Sequence, residues 1–333
     1  MDNGSNKDMK RMLKQIKIPK LIGKLAISVG LLAGPGLACV FAFDYPMRVE
    51  KVSERVFALI TPSRELPNPE NGGWNSNMAF VVAKDGVLLF DSGSSEAIGL
   101  AAKNAIRSIT DKPVRWIVNS HAHGDHWLGN AAFSDTVETI IASAPVAELI
   151  ANDGARWVAL FNDMTGGITQ RSEIKTPNKI INKDDILSIS NLNVELILSS
   201  GGHSPGDLMA WLPEERVLLS GDVIYSDRMP STNAGDLARW LEILPRLEAL
   251  DPIAVVPGHG SVTDKEGITQ LLSLLNALWQ SVEEGIEKGL SDFEMLPTVS
   301  KALEPFKSRY PGLEEKLRRD LSHVYLQIEA TTF

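Results

Sequence analysis

A chain of 333 residues that is 44% hydrophobic and 23% charged has enough apolar material to bury an ordinary core, which excludes a disordered or low-complexity protein. Its net charge of −9 is a poor electrostatic match for nucleic acid. The first 24 residues carry seven basic and two acidic side chains, a surplus of five, so the remainder stands near −14.

The N-terminus reads as a leader. Lys7, Lys10, Arg11, Lys14, Lys17, Lys20 and Lys24 precede an apolar run from Leu25 to Phe43, the basic-then-apolar order of a secretory signal. Gly36-Leu37-Ala38 and Val40-Phe41-Ala42 each offer small residues for cleavage. An uncleaved membrane anchor competes, although Pro35-Gly36 would interrupt its helix. Either outcome gives a periplasmic or extracytoplasmic location, with membrane attachment through this segment as an option. The single cysteine, Cys39, falls inside the leader, so there is no disulfide framework and no thiolate for a metal site.

From about residue 47, short β-like runs follow: Val52 to Ile60, Met78 to Val82 and Gly86 to Phe90, separated by turn residues. Trp74, in the Asn71–Asn77 turn, either stacks on a substrate or packs the hairpin. Helices then alternate with strands. A helix capped by Ser94-Ser95 runs through Ile106, and the apolar run Val114 to Asn119 reads as a strand. Further strands are expected at Thr139–Ala142, Asn193–Leu198, Arg216–Ser220 and Ile253–Val256, and helices at Ala147–Asn152 and Asp236–Leu250. From about Asp264 the pattern is helical, with one apolar stripe through Ile268, Leu271, Leu275 and Leu278 and another through Leu313, Leu317 and Leu321. This order suggests two packed sheets with helices outside.

The chemistry concentrates in His121-Ala122-His123-Gly124-Asp125-His126, four metal-type ligands in six residues directly after a predicted strand. Two of the other three histidines, His203 and His259, also follow β-like runs, as does Asp222. Open sheets place ligands beyond the carboxyl ends of their strands, so four strand ends of this kind suggest one shared metal site. His323 lies in a predicted terminal helix and reads as packing or surface. Asp207, in Ser204-Pro205-Gly206-Asp207, reads equally well as turn chemistry. Arg228 either meets a substrate carboxylate or forms a surface salt bridge, the second being the commoner use.

Five motifs in order, Leu89-Phe90-Asp91-Ser92-Gly93, the His121–His126 hexapeptide, His203, Gly221-Asp222 and Gly258-His259-Gly260, resemble the metallo-β-lactamase-fold hydrolase superfamily over roughly residues 50 to 265. The resemblance implies an α+β, four-layer αβ/βα sandwich. It divides the chain into the leader at 1–43, a catalytic domain at 44–263 and a helical extension packed on it at 264–333. Carried over to these positions, it implies one metal held by His121, His123 and His203, a second by Asp125, His126 and His259, and Asp222 bridging them. Two zinc ions are the implied cofactor, with iron or a mixed pair as alternatives. Asp91 resembles the family's supporting carboxylate, which orients a ligand histidine; a plain turn residue before Gly93 is the other reading.

The implied activity is hydrolysis of an ester, thioester, lactone or related carbonyl in a small molecule. A metal-bridging hydroxide would be the nucleophile, and Asp125 and Asp222 would offset part of the cationic charge. The run from Asp222 to Asp236 and the Pro257–Gly260 turn are similar to exported hydrolases associated with sulfur oxidation and quinoprotein relay systems. A β-lactamase is the nearest alternative. A mononuclear-iron persulfide dioxygenase is the next, although it would have no need of Asp125, His126 and His259 as a second set. A non-catalytic binding protein is weaker still, because no ligand position is lost.

Overall fold

The computed structural model describes residues 43–169 and 172–332, so the expected leader, Cys39 included, lies outside the described residues except for Phe43. Among the described residues no helix is long and apolar enough to cross a membrane.

The first sheet runs in sequence order: β1 (Val49–Lys51), β2 (Val56–Leu59), β3 (Met78–Val82), β4 (Val87–Phe90), β5 (Val114–Val118), β6 (Thr139–Ser143) and β7 (Lys179–Ile181). Its early strands pair antiparallel, and β4 through β7 pair parallel. The second sheet contains β8 (Asp185–Ile189), β9 (Leu192–Leu198), β10 (Leu208–Leu212), β11 (Val217–Tyr225) and β12 (Ala254–His259), in the order β12-β11-β10-β9-β8. The expected strand over Val52–Ile60 is shortened to β2, because Val52 and Ser53 turn back to donate to the Val56 carbonyl, and β1 lies just before it.

Side-chain alternation explains the layers. Val56 and Ala58 of β2, Ala79 and Val81 of β3, and Leu88 and Phe90 of β4 share one buried cluster with Leu208, Ala210 and Leu212 of β10. That cluster is the interior between the sheets. The intervening residues Leu59, Met78, Phe80, Val87 and Leu89 point outward into a second cluster with Ile98, Ala102 and Ile106 of helix α1 (Glu96–Arg107). A strand buried on both faces reads as a continuous apolar run, as these do. Ser95 caps α1, its side chain accepting from the Ile98 amide.

On the far side, Met209, Trp211 and Leu218 turn outward against the C-terminal helices α5 (Lys265–Glu287), α6 (Asp292–Ala302) and α7 (Leu313–Thr332). Helix α4 (Leu237–Glu248) joins this layer through Trp240, whose indole N–H donates to the Val223 carbonyl at 2.8 Å. The architecture is therefore the four-layer αβ/βα sandwich followed by C-terminal helices.

The short α2 (Gly124–Trp127) follows β5, and α3 (Ala144–Met164) follows β6. Helix α3 far exceeds the expected Ala147–Asn152. Asn152-Asp153-Gly154 is a local stop signal, but Gly154 lies against Trp127 and Ile174, where an added Cβ would meet their carbons at 3.1 and 3.2 Å. Close packing carries the helix through the glycine.

Candidate metal centre

Parallel pairing brings the loops together. Strands β4 and β5 run side by side, with Phe90 opposite Val118, so Asp91 and the His121 turn leave the first sheet at the same edge. In the second sheet β11 and β12 are parallel, with Tyr225 opposite His259. Asp222 is not at a strand end, as expected, but inside β11 where the register slips between Gly221 and Tyr225. Gly221 has φ +52° there, and a side chain on it would strike Ser120. That irregularity swings the Asp222 carboxylate toward the first sheet.

The seven expected residues converge. His121, His123, His203 and Asp222 form one group that could hold a metal ion, and Asp125, His126 and His259 form another. His123 Nδ1 lies 2.9 Å from both His121 Nε2 and His203 Nε2. Asp222 Oδ2 stands 3.3 Å from His203 Nε2 and 3.2 Å from His259 Nε2, while its Oδ1 is 3.2 Å from His126 Nε2. Asp125 Oδ2 is 3.6 Å from His126 Nε2 and 3.5 Å from His259 Nε2. Asp222 therefore touches both groups.

The donor set fits a pair of cations. Ligands about 2.0–2.1 Å from a tetrahedral ion stand roughly 3.3 Å apart, which matches these separations. The Nε2 of His126 and Oδ1 of Asp222 are buried and make no hydrogen bond, a costly condition that a cation would relieve.

Outer hydrogen bonds set the tautomers. Asp91 accepts from the Ser120 amide at 2.8 Å, the Ser120 hydroxyl at 2.7 Å and His126 Nδ1 at 2.8 Å. A proton on Nδ1 leaves the His126 Nε2 lone pair facing the site. Because Ser120 Oγ donates to Asp91, it accepts from His121 Nδ1 at 3.0 Å, freeing His121 Nε2 likewise. His259 Nδ1 donates to the Asn75 carbonyl at 2.8 Å with the same effect. Asp91 is thus more than a turn residue, although its φ of +60° is also the conformation that Asp tolerates in turns.

Charge and burial oppose each other throughout. Burial pushes the His121 and His203 imidazoles down, His203 to about 3, which keeps both neutral. Burial would raise Asp222 too, but His259, His126, His203 and His121 hold it well below the usual carboxylate range. At His126 the carboxylates of Asp222, Asp125 and Asp91 outweigh burial and raise it well above the usual value.

Several residues were missed from the sequence. Asn75 Nδ2 donates to Asp125 Oδ2 at 3.1 Å, and Ser76 Oγ donates to the Asp125 carbonyl at 2.5 Å. Asn77 Nδ2 donates to the carbonyls of Pro257 and Gly260, fastening the start of β3 to the His259 turn. Tyr225 Oη donates to Asp222 Oδ2 at 2.5 Å, and its ring stacks on His259 at 5.2 Å. Trp157 of α3 meets His123 edge-on at 5.5 Å. The Asn-Ser-Asn run before a predicted strand was the available signal for the first three.

Of the remaining expectations, Trp74 packs the hairpin: it is 3% exposed and its indole donates to the Ser76 carbonyl. Asp207 serves the turn, accepting from the amide and hydroxyl of Ser204 next to His203. His323 lies on α7 and belongs to neither group. Arg228 departs from the surface reading: it is 8% exposed and makes no ion pair among the described residues.

Replacing Asp91 with asparagine is expected to reverse one tautomer. Two donors, Ser120 Oγ and His126 Nδ1, share Oδ2. An amide nitrogen there would force His126 to accept at Nδ1 and carry its proton on Nε2. Metal affinity then falls by roughly 10–100-fold, measured by titration against a competing chelator. Unchanged affinity would show that Asp91 does not orient the ring.

A two-sheet sandwich with buried imidazoles and carboxylates gathered at one edge defines a hydrolase scaffold built around a site that could bind two metals. The family model of the metallo-beta-lactamase superfamily matches residues 71–259, more than half of the chain, and the chain belongs to that superfamily. A linear primary-alkylsulfatase from Pseudomonas sp. (strain ATCC 19151) is 23% identical over 290 residues, 74% of this chain and 55% of that enzyme. The chain thus spans little more than half of that relative's length. Among solved structures, a metallo-beta-lactamase from Pontibacter korlensis aligns with TM-score 0.56 and 23% identity over 69% of this chain and 99% of its own. A stereoselective inverting sec-alkylsulfatase from Pseudomonas sp. aligns with TM-score 0.63 and 17% identity, covering 84% of this chain and 50% of that one.

Proposed function

We propose that the chain is an exported dinuclear zinc hydrolase acting on an ester, thioester, lactone or related carbonyl of a small molecule. The observation that carries this reading is the shared carboxylate: Asp222 reaches His203 of one His/Asp group and His126 and His259 of the other. Bound there, two dications would supply Lewis acidity and lower the pKa of water toward neutrality. Asp91, Ser120 and the Asn75 carbonyl hold the imidazoles in the ligating tautomer. Asp125 and Asp222 contribute the negative charge that such a pair needs. The hydroxyls of Ser120 and Tyr225 are committed to Asp91 and Asp222, which fits water as the attacking group. Export is supported by the basic-then-apolar order of residues 7–43.

A second reading, hydrolysis of a sulfate ester, is favoured by one observation. The sec-alkylsulfatase alignment takes in 84% of this chain against 69% for the lactamase, so the resemblance to the sulfatase reaches further along it.

Metal analysis of the full chain with a substrate panel tests both. About two zinc per chain and hydrolysis that a chelator abolishes and zinc restores are expected. About one iron per chain would point to the dioxygenase instead, and absence of metal and turnover together would sink the proposal. A chromogenic β-lactam cleaved far faster than thioesters, lactones and sulfate esters would reassign the substrate.

A further inference from the structure

We infer that Asn130, the first residue of the 3₁₀ turn Asn130–Phe133, is a positioning residue for the candidate metal centre, locking Asp91 and Ser120 in the register that sets the His126 and His121 tautomers. The inference deepens the hydrolase reading and rests on it.

The first support is a buried amide with every hydrogen-bonding site in use. Asn130 is fully buried, and its Nδ2 donates to the Lys175 carbonyl at 3.1 Å and to Asn119 Oδ1 at 2.9 Å. Its Oδ1 accepts from Asn119 Nδ2 at 3.1 Å and from the Ser92 hydroxyl at 2.8 Å. Asn119 and Ser92 are fully buried as well. A carbonyl can only accept, so Lys175 fixes which way the Asn130 amide is turned, and this in turn fixes the Asn119 amide and makes the Ser92 hydroxyl a donor. The orientation of the whole cluster is determined.

What the cluster joins gives it a role. Asn119 immediately precedes Ser120 and Ser92 immediately follows Asp91, so a single side chain ties together the neighbours of the two residues that orient the imidazoles. Asp91 has φ +60°, a left-handed conformation that a residue other than glycine keeps only where its surroundings hold it. Those surroundings form a seam. Ser92 N donates to the His126 carbonyl at 2.8 Å and Gly129 N to the Gly93 carbonyl at 3.0 Å, and the Asn130 side chain ends the run. The approach is close enough to need a glycine, since a Cβ on Gly129 would stand 2.0 Å from the Ser92 carbonyl oxygen.

Asn130 belongs to neither group of candidate ligands, so it acts through Asp91 and Ser120. Asp91 Oδ2 takes both the Ser120 hydroxyl and His126 Nδ1, and Ser120 Oγ in turn takes His121 Nδ1. Loosening the lock lets both rings populate the tautomer whose proton sits on the nitrogen that a metal needs.

The test uses the full chain as wild type, Asn130→Asp and Ser92→Ala. Aspartate keeps the shape but puts an oxygen where Nδ2 stood, against two acceptors, and turning the Asn119 amide over only moves the mismatch to the other oxygen. Zinc affinity is titrated against a competing chelator, and long-range proton–nitrogen spectra of the zinc-loaded protein follow exchange of each imidazole Nδ1 proton with water. Asn130→Asp is expected to weaken zinc binding by about tenfold or more and to speed exchange at His126 and His121 by a similar factor. Ser92→Ala removes one spoke and is expected to move both readouts the same way by about threefold. His259 Nδ1, bonded to the Asn75 carbonyl on the far side of the centre, is the internal control and should keep its wild-type exchange. Equal acceleration at all three rings would overturn the proposal, because general loosening of the fold does that, and so would wild-type affinity and exchange in both variants. Should Asn130→Asp fail to fold, Ser92→Ala decides alone. If the wild type binds no zinc, the hydrolase reading fails, while the same protons followed in metal-free protein still decide the lock.

Discussion

Replacing Asp222 with alanine is expected to lower turnover by ~10³-fold or more, about 4 kcal/mol of transition-state stabilisation, and to reduce the bound metal from about two per chain toward one or none. Among the described residues, Asp222 alone has carboxylate oxygens within 3.3 Å of imidazoles from both groups: His203 on one side, His126 and His259 on the other. His121 and His123 leave the first group short of anionic charge without it, and Asp125 is the sole carboxylate left to the second. The loss also has a signature in stability. A ligand that binds only the folded state stabilises it in proportion to the logarithm of its saturation, so wild type should melt higher with zinc than without. In Asp222→Ala that difference should shrink sharply. Metal analysis and paired melts with and without zinc read the result, and a variant that kept two metals and wild-type turnover would remove Asp222 from the centre.

Most of the candidate site was legible because it follows from short-range chemistry. Imidazoles and carboxylates after apolar runs declare themselves, and His121, His123, Asp125, His126, His203, Asp222 and His259 do come together. The layers were legible for a similar reason, since the outward and inward clusters of β2, β3 and β4 alternate residue by residue. What escaped depends on partners distant in sequence. Asn75 matters because Asp125 and His259, 50 and 184 residues away, meet it. The slip in β11 that turns Asp222 inward shows only when β12 is paired with it. Strand β8 was missed because Asp185–Ile189 has two buried residues and a largely exposed remainder, a weak signal without β9 beside it. Arg228 is the sharpest case. An isolated arginine in a polar loop is usually a surface cation, and its burial against Tyr225 and His259 shows only in the folded chain.

The second large effect is expected from a glycine. Changing Gly258 to alanine should destabilise the protein by about 3 kcal/mol or more, a fall in melting midpoint of roughly 6–9 °C, and should disrupt metal binding as well. A Cβ at this position would overlap Asp222 Oδ1 and stand 2.8 Å from the Gly221 carbonyl carbon and 3.0 Å from the Asp222 amide nitrogen. Backbone atoms cannot rotate away as a flexible side chain can, and β11 and β12 are paired here, Gly221 opposite Pro257. Relief requires either separating the two strands or rotating the Asp222 carboxylate out of its contacts with His126 and His259. The first route lowers stability in the metal-free protein. The second spares stability and removes the shared carboxylate. Gly258 has no left-handed φ, so the expected loss comes from the clash alone. Melting of the metal-free variant, with its zinc stoichiometry measured, separates the routes. Gly258→Ala with wild-type melting and wild-type zinc content would mean that the two strands do not approach one another as closely as this structure has them.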